Sequence, residues 1–142
     1  MKLNKILLAS HGPLAQAMKV TAEFLMGENE NVISMCAYMD EDSKDLPKMV
    51  DRWLEGQQPE DSWIVITDIF GGSVNNEFLA RTVEHKFHLL SGMSLPLVLS
   101  VWGGEEPLTD IQLEKLLDEA KSTVQLCNGL LEHKADESEE EF

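Results

Sequence analysis

Apolar residues along this chain come in two rhythms. Short unbroken runs at Lys5 to Ser10 (KILLAS), Val32 to Met39 (VISMCAYM), Trp63 to Thr67 (WIVIT) and Lys86 to Leu90 (KFHLL) have the length and aliphatic content of buried strands. Between them apolar positions recur at helical spacing: Leu14, Met18, Thr21, Ala22 and Leu25, then Leu46, Met49, Val50, Trp53 and Leu54. A third helix opens at Gly71-Gly72-Ser73 and runs through Phe78 to Val83, and a last one carries Leu113, Leu116, Leu117, Ala120 and Val124 on one stripe. The punctuation agrees. Gly27 is expected as a left-handed cap, Ser43 as the N-cap of the second helix, Gly56 as its end, and Thr109 to Gln112 as a capping box. The segment SLPLVLSVWGG from Ser94 fits a strand or a helix; Ser94 two positions before Pro96 favours a short helix. After Gly129 the pattern fades.

Strands that alternate with helices imply parallel strands joined by right-handed crossovers. The expected fold is therefore α/β: an open, mainly parallel β-sheet of about four parallel strands, with room for an antiparallel edge strand and with helices on both faces. Residues 1–131 form a single domain on this reading, and 132–142 an acidic, disordered tail. Such sheets bind ligands outside the carboxyl ends of their strands, where neighbouring crossovers depart to opposite faces. The first strand ends at Ser10-His11 and the third at Asp68, so both polar residues are expected on that rim.

Composition narrows the setting. The chain has 142 residues, 43% of them hydrophobic and 26% charged, and no apolar stretch approaches the length of a membrane-spanning helix. A cytoplasmic location is expected, because the apolar run of MKLNKILLAS is too short for a signal peptide. The formal net charge of -15 argues against nucleic acid as a partner, since a phosphate backbone requires a basic surface. A basic-faced protein suits that charge better. The two cysteines, Cys36 and Cys127, lie in apolar segments without metal-ligand spacing and are expected to be buried and inert. His85, His88 and His133 have no Cys or His companion at ligand spacing and are expected at the surface, so no metal is anticipated. Trp53 belongs to a helical stripe and is assigned to the core; Trp102-Gly103-Gly104 with Glu105 and Glu106 is read as a solvated loop.

The candidate chemistry sits at the rim. A lone histidine ending a strand can simply cap the sheet, and a glycine pair before a helix can be an ordinary turn. Their combination carries more. Asp68 follows the apolar run WIVIT, where an unpaired carboxylate is costly, and a histidine N–H is a natural partner for it. That pairing fixes the tautomer of His11 and leaves its other ring nitrogen as a nucleophile. Gly71, Gly72 and Ser73 open a helix whose unsatisfied N–H groups favour an anion, and the Ser73 hydroxyl can cap the helix or donate to a phosphoryl oxygen. No Walker or GxGxxG sequence occurs, so no nucleotide cofactor is expected. Phosphoryl transfer through phosphohistidine fits these residues better than acyl transfer.

The chain resembles the enzyme IIA components of the mannose-family (mannose/fructose/sorbose type) phosphoenolpyruvate-dependent sugar phosphotransferase system. The resemblance spans nearly the whole sequence and rests on KILLASHGPLAQAM, TAEFLMGENENV, VITDIFGGSVNNE and SGMSLP. It implies that His11 accepts a phosphoryl group at Nε2 from the phosphocarrier HPr and passes it to a histidine on a separate IIB protein. Asp68 would hold Nδ1, and the membrane IIC and IID components would be served indirectly. A homodimer that buries the apolar segment from Val124 to Leu131 is also implied. Two positions depart from the family pattern: Phe70 stands where tryptophan is common and Val74 where proline is common, which alters the rim without touching the nucleophile. The competing readings are the related phosphotransferase subunit of a dihydroxyacetone kinase system and a non-catalytic regulatory α/β binding domain.

Overall fold

Ile6, Leu7, Leu8 and Ala9 are each at most 1% exposed, so the strand that carries them has to be paired on both edges and covered on both faces. The computed structural model, which describes residues 3–104 and 106–132, does this with a four-stranded sheet. Strand β1 (Leu3–His11) lies between β2 (Val32–Ala37) and β3 (Asp61–Thr67), and β4 (His88–Ser91) pairs with the outer edge of β3. The order is β2-β1-β3-β4 and every pairing is parallel. The register aligns Ala9 with Thr67 and His11 with Ala37, which brings the carboxyl ends of three strands to one rim.

Alternate residues of the strands feed two cores. Ile6, Leu8, Ile64, Ile66 and Leu90 face helices α1 (Leu14–Met26), α4 (Leu95–Trp102) and α5 (Asp110–Lys121). Leu7, Ala9 and Val65 face helices α2 (Leu46–Glu55) and α3 (Ser73–Arg81), where Trp53 packs edge-on against Trp63, Phe78 and Phe87. The path from β1 through α1 to β2 runs one way along the sheet, and the path from β3 through α3 to β4 runs the other. With right-handed crossovers, α1 and α3 must lie on opposite faces, and the crevice between the ends of β1 and β3 stays open.

The α/β expectation holds, with local corrections. No antiparallel strand occurs among the described residues: the segment after Ser94 is α4, whose first turn is capped by Ser94 Oγ accepting from the Leu97 N–H at 3.3 Å. β2 stops at Ala37 rather than Met39, because Tyr38 turns the chain with φ at 65°. Ser43 does not cap α2; Asp45 does, through the Lys48 N–H, while Ser43 is buried inside the preceding turn. Gly27 has positive φ but an extended ψ of 163°, not the left-handed helical geometry, whereas Gly56 ends α2 as expected. Along α1 the buried positions are Ala15 and Ala22, with Leu14, Thr21 and Leu25 exposed. α5 ends at Lys121, leaving Val124 exposed, and Cys127 is exposed rather than buried. Trp102 is core, not loop, and its indole N–H donates to the Gly27 carbonyl at 3.3 Å. Trp53 is core as expected, His85 is exposed, and His88 is half-buried against Asp110. His133 and the acidic tail from 133 to 142 lie outside the described residues. No helix among the described residues is long and apolar enough to cross a membrane.

Phe78, on the buried side of the helix that begins at Ser73, is fully buried, with its ring centroid 5.6 Å from that of Trp53 and 6.2 Å from that of Phe87. Phe78→Ala should cost about 3–5 kcal/mol of stability through lost burial and the cavity left behind. Urea unfolding read by tryptophan fluorescence checks this; a cost within about 1 kcal/mol would mean that the cluster collapses around the gap.

Candidate functional site

β1 delivers His11 to the rim as its last residue, and Asp68 emerges one residue beyond β3. One carboxylate oxygen, Asp68 Oδ2, accepts two N–H groups from the same residue: the His11 backbone N–H at 2.8 Å and ring Nδ1 at 2.9 Å. The other oxygen accepts from the Ile69 N–H at 3.0 Å. Burial pushes the Asp68 carboxyl up, but the backbone bond from His11, the ring bond and charge of His11, and the Ile69 N–H outweigh it and hold the acid below its ordinary value. An ionised Asp68 can only accept, so Nδ1 must carry a proton, and the neutral ring then keeps its lone pair on Nε2.

Nε2 lies 3.0 Å from Ser73 Oγ, and Ser73 Oγ lies 2.9 Å from the Tyr38 hydroxyl. Ser73 is the first residue of α3, and the N-cap Gly72 has no side chain to satisfy the N–H groups of that first turn. Glycine is needed here for clearance: a Cβ on Gly72 would stand 3.2 Å from His11 Cε1 and 3.3 Å from the Ile69 carbonyl oxygen. Gly71, at φ 81°, makes the turn that aims the helix mouth at the ring, and Asn76 Nδ2 donates back to its carbonyl at 3.1 Å. His11, Asp68, Gly71, Gly72 and Ser73, the five residues singled out in the sequence, therefore converge on one spot. Its positive end is the helix mouth, and His11 Nε2 lies beside it.

Two contributors escaped the sequence reading. Ser10 is buried, accepts from the Ala15 N–H at 2.8 Å and donates to the Gly12 carbonyl at 3.1 Å, tying the end of β1 to the start of α1. A serine before Gly-Pro at a helix start is a recognisable turn signal. Tyr38 had no such signal. It holds a positive φ that costs a bulky residue roughly 1–3 kcal/mol, and its ring centroid lies 5.6 Å from that of His11.

The rim is open. The His11 side chain is 37% exposed, and Tyr38, Met39, Ile69 and Phe70 present apolar surface around it. Grooves of about 430 Å³ lie at the opposite end and edge of the sheet, lined in one case by Asp61, Trp63, His85 and His88. An exposed imidazole on an apolar rim is open to contact by a macromolecular surface.

Stability should report the state of Asp68. Its pKa is depressed on folding, so the carboxylate contributes stability above its unfolded value near 3.9, and that contribution fades as pH falls through the lower folded value. Unfolding measured across pH for the wild type and Asp68→Asn should give a gap that is full at neutral pH and narrows in acid. A gap that widened on acidification would contradict the assignment.

Residues 5–121 match the family model described as PTS system fructose IIA component. A Bacillus subtilis protein described as the PTS system fructose-specific EIIA component is 26% identical over 134 residues, covering 89% of this chain and 88% of that one. Among crystal structures, a Klebsiella pneumoniae protein provisionally assigned as a phosphoenolpyruvate-dependent sugar phosphotransferase system permease superposes with a TM-score of 0.83 at 36% identity. That match covers 92% of this chain and 95% of the other. The PTS IIA protein associated with the fucose utilization operon of Streptococcus pneumoniae superposes with a TM-score of 0.71 at 25% identity, covering 92% and 97%.

Proposed function

The chain belongs to the family of PTS system fructose IIA components, and on that premise we propose that it is a phosphohistidine carrier, loaded at His11 Nε2 by phospho-HPr and unloaded onto a separate IIB protein. The observation that carries this reading is the division of labour on one ring: Nδ1 on Asp68 at 2.9 Å, Nε2 on the rim beside the mouth of α3. In the forward step the Nε2 lone pair forms the new bond to phosphorus, and the bond from phosphorus to the donor breaks with its electron pair kept by the donor. No proton has to leave, because Nε2 enters the reaction without one. The ring becomes cationic while Nδ1 keeps its proton, and the adjacent Asp68 carboxylate stabilises that charge. The N–H groups at the start of α3 and the Ser73 hydroxyl are placed to receive phosphoryl oxygens. Unloading is the same step in reverse, with a histidine of the IIB protein as the acceptor.

Each partner in turn has to meet the same exposed apolar rim, which explains why Tyr38, Met39, Ile69 and Phe70 are left uncovered. On this reading the chain works in the cytoplasm, and sugar choice lies with the membrane IIC and IID components, because no sugar enters this transfer. Incubation with phosphoenolpyruvate, enzyme I and HPr should attach an acid-labile, base-stable phosphate. His11→Gln should abolish the label and Asp68→Asn should slow its uptake. Undiminished labelling of His11→Gln would move the nucleophile elsewhere, and no labelling of the wild type would favour a regulatory binding domain.

We also infer a homodimer that buries surface from the end of the chain. Val124, Leu126 and Leu131 are each more than 80% exposed, and beside the outer edge of β4 lies an apolar groove lined by Leu79, Leu89, Leu113 and Leu117. That much uncovered aliphatic surface in one segment is expected to find a partner. Sedimentation equilibrium at micromolar concentration should give twice the chain mass; a species of 15.9 kDa alone would rule the dimer out.

A further inference from the structure

We propose that Tyr38 is a positioning residue for phosphoryl transfer, acting through Ser73 on His11. The inference rests on the reading of His11 as the phosphoryl carrier and extends its machinery to a residue in the turn after β2.

The conformation of Tyr38 is imposed. Its φ of 65° is a region that bulky residues avoid, and Tyr38 is the only non-glycine residue there among the described residues. The turn after β2 holds it: the Tyr38 N–H donates to the Ser43 carbonyl at 2.8 Å, and Ser43 Oγ accepts the Met39 and Asp40 N–H groups at 2.8 Å each. Ser43 is locked in turn by Asp40, whose Oδ1 accepts from the Ser43 N–H and from its hydroxyl, both at 2.9 Å. On the near side the Ala37 carbonyl accepts from the Gly12 N–H at 2.8 Å, so this turn is tied directly to the residue after His11. An ordinary extended residue at position 38 would point its side chain to one face of the sheet. Here the left-handed kink brings the phenol to the active rim.

Proton accounting gives the contact a direction. Asp68 fixes the proton of the neutral His11 ring on Nδ1, so in that form Nε2 can only accept, and Ser73 must donate its single proton to it. Ser73 Oγ can then only accept from Tyr38, at 2.9 Å. The chain of donors runs Tyr38 to Ser73 to His11 to Asp68, with one arrangement of protons. A hydroxyl that accepts a hydrogen bond is a stronger donor, and its oxygen is held in place. Once phosphorus occupies Nε2, that nitrogen can no longer accept. The Ser73 proton then swings about the Cβ–Oγ bond to a phosphoryl oxygen, while Tyr38 keeps Oγ where it was. Without the phenol, Ser73 can rotate away towards its own helix or solvent, and the donor has to be reordered at each transfer. Tyr38 makes and breaks no covalent bond.

The test is a double-mutant cycle with Tyr38→Phe and Ser73→Ala. Tyr38→Phe keeps the ring and removes the hydroxyl. It should slow phosphoryl uptake from phospho-HPr about fivefold in the wild-type background, the worth of one neutral hydrogen bond, and have no further effect in the Ser73→Ala background. An equal slowing in both backgrounds would make Tyr38 a merely structural residue or a partner contact, and no slowing in either would end the proposal. A second readout needs no donor protein: the nitrogen-15 chemical shift of His11 Nε2 should move in Tyr38→Phe, and should stay at the Ser73→Ala value when both changes are combined. If the wild type takes up no phosphate, the carrier reading fails, whereas the chemical shifts still decide whether Tyr38 acts through Ser73. An unmoved shift in Tyr38→Phe overturns the inference by itself.

Discussion

One carboxylate oxygen holds the site to the sheet. Asp68 Oδ2 receives both the backbone and the ring N–H of His11, so the end of β1 and the imidazole are fixed by the same atom on the neighbouring strand. That arrangement requires β1 and β3 to be adjacent, parallel and in a register that ends them together, which their pairing from Leu3 with Asp61 to Ala9 with Thr67 supplies. It also requires the space above both ends to be empty. The strand order reverses between these two strands, so α1 and α3 leave to opposite faces and neither crosses the gap. The apolar core and the placement of His11 are therefore consequences of one topology.

Electrostatics then divides the ring. Burial alone would favour a protonated Asp68, and the N–H groups around it reverse that preference. The resulting anion chooses the tautomer of the ring, with the proton on Nδ1. The other half of the charge balance comes from the mouth of α3, where Gly72 supplies clearance for the ring and no capping side chain competes for the N–H groups.

Much of this was legible in the sequence, and the reason is that burial writes itself strongly. WIVIT and KILLAS can only be buried strands, and a costly aspartate at the end of one and a histidine at the end of another point to each other. Local chemistry was legible where the side chain acts on its own turn, as in the capping box at Thr109 and the cap at Ser94. It failed where two local solutions compete: Asp45 took the cap of α2, and Ser43 was free to build the turn before it. It failed again at Trp102, where a Trp-Gly-Gly string looks like a loop but the indole finds a carbonyl 75 residues away in sequence. The Val124 to Leu131 segment kept its apolar character in the sequence, yet α5 ended before it, because an amphipathic stripe does not say which surface it will meet.

Tyr38 marks the sharper boundary of what a sequence can disclose. Its residue type is common in strands, and at the end of VISMCAYM it reads as one more buried apolar position. Its actual place depends on φ at that one residue, and that angle depends on Ser43 and Asp40, neither of which touches His11. The strain at Tyr38 is sustained by a dense set of hydrogen bonds in an otherwise exposed loop, whereas loops without a task relax to unstrained turns. An observed outlier held beside the His11 ring is thus a pointer to function that composition and periodicity do not contain. The same logic explains why the places of His11 and Asp68 were easier to read: both sit at unstrained strand ends, where topology alone determines the position.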